Sequence, residues 1–462
     1  MFPLPLRFLP TVLRPRAAAE APWGLGGESD RPVSGAAIDS RAVTPGDLFF
    51  ALPGANSDGH DHAADALGRG AAAVVLARDT GDRPAVLVPD TAAALARLGA
   101  WNRGRFAGPV VAVGGSHGKT TTRELTAAAL RGLGLGVRSR ENFNNALGVP
   151  LTLCELGPDH RWAVVELGAS RPGDLTQLGG WTKPTAAVLT GVGTAHVGTF
   201  GGPAALRAAK AELFAAAPPG GPLIVNGDDP GARALAAEAG RSVLFAGTGP
   251  GCDVRLEPRP APPGRLRFAR GGTTFELTGF APHLGSLAAC AVAVGEALGL
   301  SRDAIADGLA RFRPPPGRGA VTTVGGVMLI DDAYNAPPEG VFAAVDLLAR
   351  WPVEPPGRRW LVCGGMKELG DETDRLHAEL GKRLAAAGLD RVLFVGETGA
   401  RVAAAAGLPP AVGERCDAAA DAANVLHTEV RPWDVVLAKG CRADGLERVV
   451  AALADRLRRR PA

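Results

Sequence analysis

The sequence predicts an α/β protein of three domains, a small mixed α/β domain followed by two built on parallel sheets. Three observations predict it. Short apolar, β-branched runs alternate with helical stretches through most of the chain, as in parallel sheets covered by helices on both faces. A length of 462 residues exceeds what one hydrophobic core organises, and at roughly 100 to 200 residues per domain it suits two to four. The texture changes at Gly108 and again at Pro314-Pro315-Pro316, a stretch that cannot continue a helix, so the domains are expected over residues 1–107, 108–313 and 314–462.

The elements follow in order. In the first domain residues 47–52 and 72–76 read as strands, 62–69 and 91–103 as helices. From Gly108, the β-branched run 110–113 passes through a glycine turn into a helix over 120–133, a β-loop-α unit, and 163–167, 186–189 and 223–225 are further buried strands. Residues 258–264 form a proline-rich loop, and 265–277 alternate about Gly271-Gly272 as a hairpin, expected as a small decoration of the central domain. The third domain has strands at 327–330, 360–363, 391–395 and 434–438 with helices near 339–350, 372–387 and 443–459, which is Rossmann-like.

Composition excludes several classes. With 46% apolar and 21% charged residues the chain is globular and not disordered. A net charge of +3, with no basic run beyond Arg456 to Arg460, implies no nucleic-acid partner. The apolar opening is broken by Pro3, Pro5, Arg7, Pro10 and Arg14, and no stretch of 18 unbroken apolar residues occurs, so neither a signal core nor a membrane span is expected. Six scattered cysteines without a CxxC pair suit a reducing cytoplasm and argue against structural zinc. A monomer is expected. Only six of the 50 basic Lys and Arg residues are lysine, so a surviving lysine can mark a place that needs a compact ammonium or a neutral amine.

The chemistry begins at Gly114-Gly115-Ser116-His117-Gly118-Lys119-Thr120-Thr121, where a strand gives way to a helix. Backbone N–H groups and a helix N-terminus there can cradle phosphates, Lys119 can reach the terminal phosphates, and the Thr120 hydroxyl can bind Mg²⁺. Val113 stands where the longer form of this loop has its first glycine, so the motif is a shortened G-x-x-G-K-T and the central domain is a P-loop mononucleotide-binding domain. Glu166 ends a strand, where α/β sites open and where a hard cation finds an oxygen ligand.

Around this loop the chain resembles the Mur ligases, ATP-dependent enzymes of peptidoglycan precursor synthesis. Their loop has the same short form, and Asn142-Phe143-Asn144-Asn145-Ala146-Leu147-Gly148-Val149-Pro150-Leu151-Thr152 is similar to their N-N-x-x-G-x-P-L-T segment. The resemblance continues through Glu166-Leu167-Gly168-Ala169, His196 and Lys210. It extends to Gly364-Gly365-Met366-Lys367-Glu368-Leu369-Gly370, with Gly365 for an aspartate, and Lys439-Gly440-Cys441-Arg442, with cysteine for serine. Ile38-Asp39-Ser40-Arg41, Asp58-Gly59-His60-Asp61 and Asp331-Asp332-Ala333-Tyr334-Asn335-Ala336 look most like the member that adds D-alanyl-D-alanine to UDP-N-acetylmuramoyl-tripeptide.

The resemblance implies a nucleotide site of Gly115, Ser116, His117, Gly118, Lys119, Thr120, Thr121, Arg318, Asp332 and Asn335, with Asp332 at the ribose and Arg318 at the phosphates. It implies Mg²⁺ on Thr120, Glu166, His196 and Lys210, the last as a carbamate, and Lys119, His196 and Lys210 as the catalytic set. Ser40, Arg41, Asn144 and Asn145 would meet the UDP-linked substrate. A lysine snorkelling from its helix face is the plain alternative for Lys210.

One departure stands out. The family's adenine-binding H-N-x-x-N-A reads His283-Leu284-Gly285-Ser286-Leu287-Ala288 here, which predicts poorer selection for adenine if Leu284 and Leu287 face the base. A sibling Mur or folylpolyglutamate-type ligase and a non-catalytic binding paralogue are the other readings. Retention of Lys119, Thr120, Glu166, His196 and Lys210 together counts against the paralogue.

Overall fold

The computed structural model describes residues 1–14, 30–54, 57–193, 200, 202–367 and 369–459. They form two compact units, Met1–Arg255 with Leu287–Gly308, and Leu256–Ser286 with Leu309–Ala462.

The first unit opens with β1 (Leu4–Pro5) paired antiparallel to β2 (Pro32–Val33). A parallel sheet follows, β3 (Gly35–Ala37), β4 (Asp47–Phe50), β5 (Ala73–Leu76) and β6 (Ala85–Leu87), side by side in chain order. The opening residues are core: Leu4, Leu6, Leu9 and Leu13 are buried with Leu48, Phe50 and Val75 of this sheet and with Leu95 and Leu98 of the helix Thr91–Arg103. Asp90 starts that helix by accepting the Ala93 N–H at 2.9 Å.

Beyond it lies a second, all-parallel sheet of β7 (Val110–Gly114), β8 (Gly136–Arg138), β9 (Trp162–Glu166), β10 (Ala186–Leu189), β11 (Leu223–Asn226), β12 (Leu244–Gly247) and β13 (Val254–Arg255). Their spatial order is β13-β12-β11-β10-β7-β9-β8, so the winding reverses beside β7, whose C-terminal end is the phosphate loop. Open α/β sheets bind ligands at that reversal. The last turns of the helix Thr91–Arg103 tie the two sheets together. Buried Asn102 donates to the carbonyls of Leu153 and Leu156, both at 2.8 Å, and accepts from Phe2 N at 3.0 Å, while buried Arg103 donates to Thr182 O at 2.7 Å.

The second unit holds an antiparallel sheet of β14 (Glu257–Arg259), β15 (Arg265–Arg270) and β16 (Thr273–Thr278). The expected hairpin is present but belongs to this unit and not to the central domain, and the expected loop at 258–264 begins inside β14, which tolerates Pro258 because it is an edge strand. The larger sheet comprises β17 (Ala320–Val324), β18 (Val327–Asp332), β19 (Arg359–Cys363), β20 (Arg391–Val395), β21 (Gly413–Cys416) and β22 (Val435–Lys439), ordered β17-β18-β22-β19-β20-β21, with only β17 antiparallel. Ile330, Leu361 and Leu437 pack on one face, Leu329, Trp360 and Val436 on the other.

All six cysteines are free. Among the described residues no helix is long and apolar enough to cross a membrane.

Candidate active site

The loop after β7 is built from backbone constraints. Gly115 and Gly118 take φ of +145° and +76°, and a Cβ on Gly115 would lie 2.3 Å from Thr190 Oγ1, so only glycine fits there. Ser116 N donates to Gly191 O at 2.8 Å, and the Thr190 hydroxyl donates to the carbonyls of Gly114 and His117. His117 Nε2 meets Asp229 Oδ2 at 3.3 Å, and Asp229 also accepts from Val192 N and Ala232 N. Burial pushes the Asp229 carboxyl up, but the His117 ring and those two N–H groups outweigh it and leave its pKa below the ordinary value. Lys119 opens the helix Lys119–Ala129 and folds back, its Nζ donating to Gly115 O at 3.0 Å and Ser116 O at 3.2 Å. Thr120 is half-buried beside it and Thr121 buried.

Glu166, opposite Val113 in the β7–β9 register, is buried at the end of β9. Its Oε1 accepts from Asn144 Nδ2 at 2.8 Å and its Oε2 from Arg123 Nη1 at 3.1 Å. Asn144, Asn145, Ser116, Lys119 and Lys210 line one cavity of about 510 Å³, which Ser170, Arg171 and Asp174 also line. Asn145 also caps the helix Gly148–Cys154 by accepting from Gly148 N at 2.9 Å. Lys210, on the helix Pro203–Ala216, is buried with its Nζ 5.2 Å from the Phe200 ring centre. Burial first, and the charge of Lys119 second, pull its ammonium down from 10.5 to about 8. His196 lies outside the described residues.

The remaining candidates lie elsewhere. Ser40 and Arg41 follow β3, at the C-terminal edge of the small parallel sheet. The Ser40 hydroxyl hydrogen-bonds Asp65 and helps hold that carboxyl below its ordinary value. Arg41 grips both oxygens of Asp39 at 2.9 and 2.7 Å and holds that carboxyl down at about 2. Nearby, His60 Nε2 accepts from Ala77 N at 2.9 Å, and its Nδ1 donates to Asp58 Oδ1 at 2.7 Å.

On the second unit Arg318, Asp332 and Asn335 gather about the C-terminal end of β18. Lys439 Nζ bridges Asp332 Oδ2 at 2.7 Å and Asn335 O at 2.8 Å, and Arg318 stacks on the Tyr334 ring at 4.2 Å. Burial raises the Asp332 pKa and the Lys439 charge opposes it. Cys441, where serine was expected, still donates to Asp444 Oδ2 at 3.1 Å. Leu284 and Leu287 are both buried. Leu284 fills the space beside Gly279, and Leu287 lies against Gly118, 3.2 Å from where a Cβ would stand, as a support beneath the phosphate loop.

Three domain models match the chain: the Mur ligase family catalytic domain over residues 32–100, the Mur ligase middle domain over 113–255, and the Mur ligase glutamate ligase domain over 317–442. The UDP-N-acetylmuramoyl-tripeptide–D-alanyl-D-alanine ligase of Escherichia coli K12 is 35% identical over 446 residues, covering 92% of this chain and 95% of that protein. The chain belongs to the Mur ligase family. The same-named ligase of Mycobacterium tuberculosis H37Rv is 36% identical, covering 90% of this chain and 91% of its own. Among solved structures, MurF from Acinetobacter baumannii superposes with a TM-score of 0.84 at 30% identity over 98% of this chain and 99% of that one. MurF from Thermotoga maritima in complex with ADP superposes at 0.79 and 31% identity over 93% and 99%.

Mur ligases are ATP-dependent and form amide bonds, and the residues present fit a nucleotide phosphate. The Ser116 Oγ is buried in the loop without a hydrogen-bond partner among the described residues, in a position to donate to an anion. Mg²⁺ fits the donor set in chemistry, since the Glu166 carboxylate and Thr120 hydroxyl are hard oxygens. No cluster of three or more His, Cys, Asp and Glu occurs among the described residues, so phosphate and water would complete the coordination. Sequence reasoning missed Arg123 and Asp229. Arg123 lies four residues after Lys119, hence on the same helix face, and that spacing was the available signal.

Proposed function

We propose that this Mur ligase joins D-alanyl-D-alanine to UDP-N-acetylmuramoyl-tripeptide using ATP, in peptidoglycan precursor synthesis. The observation that carries the reading is the cavity where Ser116 and Lys119 of the phosphate loop, Asn144 and Lys210 converge. In that reading Gly115, Ser116, His117, Gly118, Lys119, Thr120 and Thr121 cradle the phosphates, and Lys119 leaves its two loop carbonyls to neutralise charge on the transferring group. On the second unit, Asp332 is assigned to the nucleotide ribose and Arg318 to the phosphates, with Asn335 beside them. Mg²⁺ on Thr120, Glu166, His196 and Lys210 would neutralise the phosphate oxygens when bound. The buried amine of Lys210, eased toward its neutral form, takes up CO₂ as a carbamate, which turns a cation into an oxygen ligand.

The terminal carboxylate of the tripeptide takes the phosphoryl group, and the amine of D-alanyl-D-alanine displaces phosphate from the resulting acyl phosphate to form the amide. Ser40 and Arg41 hold the UDP-linked substrate on the N-terminal domain, residues 1–107, with Asn144 and Asn145 at its peptide end. ATP binding is assigned to residues 108–313, of which 256–286 pack in the unit of Leu309–Ala462, and 314–462 are the Rossmann-like domain. Six free cysteines support a reducing cytoplasm, where the chain acts as a monomer. Phosphate release from ATP with purified UDP-linked tripeptide should require D-alanyl-D-alanine. Release that ignores the dipeptide and follows a single amino acid would assign a sibling ligase.

A further inference from the structure

Protein groups hold both oxygens of Glu166. Its carboxylate is one of the least exposed charges in the first unit, at 2% side-chain exposure, and its partner Arg123 is equally enclosed at 4%. A carboxylate so buried is costly unless paired. Arg123 meets that need with a planar fork fixed at several points: Nη1 donates to Glu166 Oε2 at 3.1 Å and to Glu141 O at 2.7 Å, and Nε and Nη2 donate to Glu124 Oε1 at 3.0 and 2.9 Å.

Glu141 itself has φ of +38°, a left-handed backbone that a residue with a side chain rarely adopts. Such strain persists where surrounding contacts require it. Here the turn presents the Glu141 carbonyl to the guanidinium. On the other side Asn144, which lines the cavity, takes Glu166 Oε1.

We infer that Arg123 is a positioning residue for the metal site. It closes Oε2 and leaves Oε1, which shares its lone pairs with the cavity-lining Asn144 amide, as the oxygen through which Glu166 meets a divalent cation. The inference rests on the reading of Glu166 as a Mg²⁺ ligand. Charge alone does not account for the arrangement, because a cation beside the site repels the metal, and lysine would repel it equally. What arginine adds is the fork, which holds Glu141, Glu124 and Glu166 at once. A lysine ammonium has one nitrogen and cannot span all three.

The test is therefore Arg123→Lys, which keeps the charge and removes the fork, with Arg123→Met as a measure of what stranding the buried carboxylate does to stability. In the ADP-bound protein, Mn²⁺ affinity is read from the electron paramagnetic resonance of free Mn²⁺, alongside the melting temperature. The expected result for Arg123→Lys is a melting temperature near the parent's with Mn²⁺ bound roughly 10- to 100-fold more weakly. In a Glu166→Gln background the same change should have no further effect. Parent-like Mn²⁺ affinity in Arg123→Lys overturns the inference, as does an undiminished loss in the Glu166→Gln background. If Glu166→Gln alone binds Mn²⁺ like the parent, the assignment of Glu166 as a ligand fails instead.

Discussion

Lys119 and Lys210 line one cavity, yet the proposed chemistry needs one of them charged and the other converted to an anion. Lys119 rests on two carbonyl oxygens, and a phosphate is a stronger partner than either. Lys119→Ala should lower kcat/KM for ATP by roughly 100- to 1000-fold, the usual effect of deleting a donor to developing charge. Turnover within a few-fold of the parent would remove the loop from the mechanism. Lys210 is poised in the opposite sense, since burial and the Lys119 charge bring its pKa to about 8. The neutral amine is the form that adds CO₂, so at fixed dissolved CO₂ the carbamate should grow in as pH rises through about 8, read by ¹³C NMR with labelled bicarbonate. A midpoint near the ordinary 10.5 would make it an exposed, unremarkable amine. The linkage has the same sign: between these two values the unfolded chain keeps a proton that the folded one has lost, so stability contributed by this group rises with pH there. Both lysines were legible because lysine is scarce and each sits in a recognisable context. Arg123 was not, since one arginine among so many reads as a solvated helix face until the fold brings the Glu141 carbonyl and Glu166 to it.

Elements were legible where apolar runs are long and bounded by turn residues, as at β7, β10 and β20. They were lost where a strand is short or polar. β3 (Gly35–Ala37), β8 (Gly136–Arg138) and β21 (Gly413–Cys416) lie at sheet edges, with one neighbour each, and carry little of the apolar signal that marks a central strand. The helix read at 120–133 ends as an α-helix at Ala129 and continues as a 3₁₀ turn through Leu130–Leu133. Gly132 and Gly134 weaken the helix there, and Gly134 turns the chain at φ of +108°. The helix Thr91–Arg103 was placed to the residue, but its role was not. Asn102 near its end satisfies three backbone groups, from Phe2, Leu153 and Leu156, that no other described side chain serves. Asn102→Leu keeps the volume and strands Phe2 N and Leu156 O, while Leu153 O keeps the Leu156 N–H at 3.3 Å, at about 1–3 kcal/mol for each group left unsatisfied in the interior. Urea unfolding should show a loss of at least about 2 kcal/mol. A smaller loss would mean that water enters and replaces the amide.

At the scale of the whole molecule the chain passes between its two compact units three times, after Arg255, Ser286 and Gly308, and so neither unit is a single stretch of sequence. Composition marks the proline run at 314–316 and is silent about the earlier crossings, because a hairpin of alternating residues looks the same whichever core receives it. Its packing decides the matter. Phe280 stacks on Trp351 with ring centres 5.6 Å apart and joins Ile330, Val341 and Leu361 in one cluster, while Gly264 leaves room for Val321. Residues 256–286 therefore depend on partners that come after residue 313. A fragment ending at Arg313 keeps the whole of the sheet around β7, whose strands all lie before residue 256, but deprives the hairpin of the surface that buries Phe280. Hydrogen exchange on that fragment should show amides of β7, β9 and β10 protected as in the full chain, and those of β14 to β16 exchanging freely. Full protection of the hairpin in the fragment would show that it folds as part of the central domain, and the proline run would then be the sole boundary.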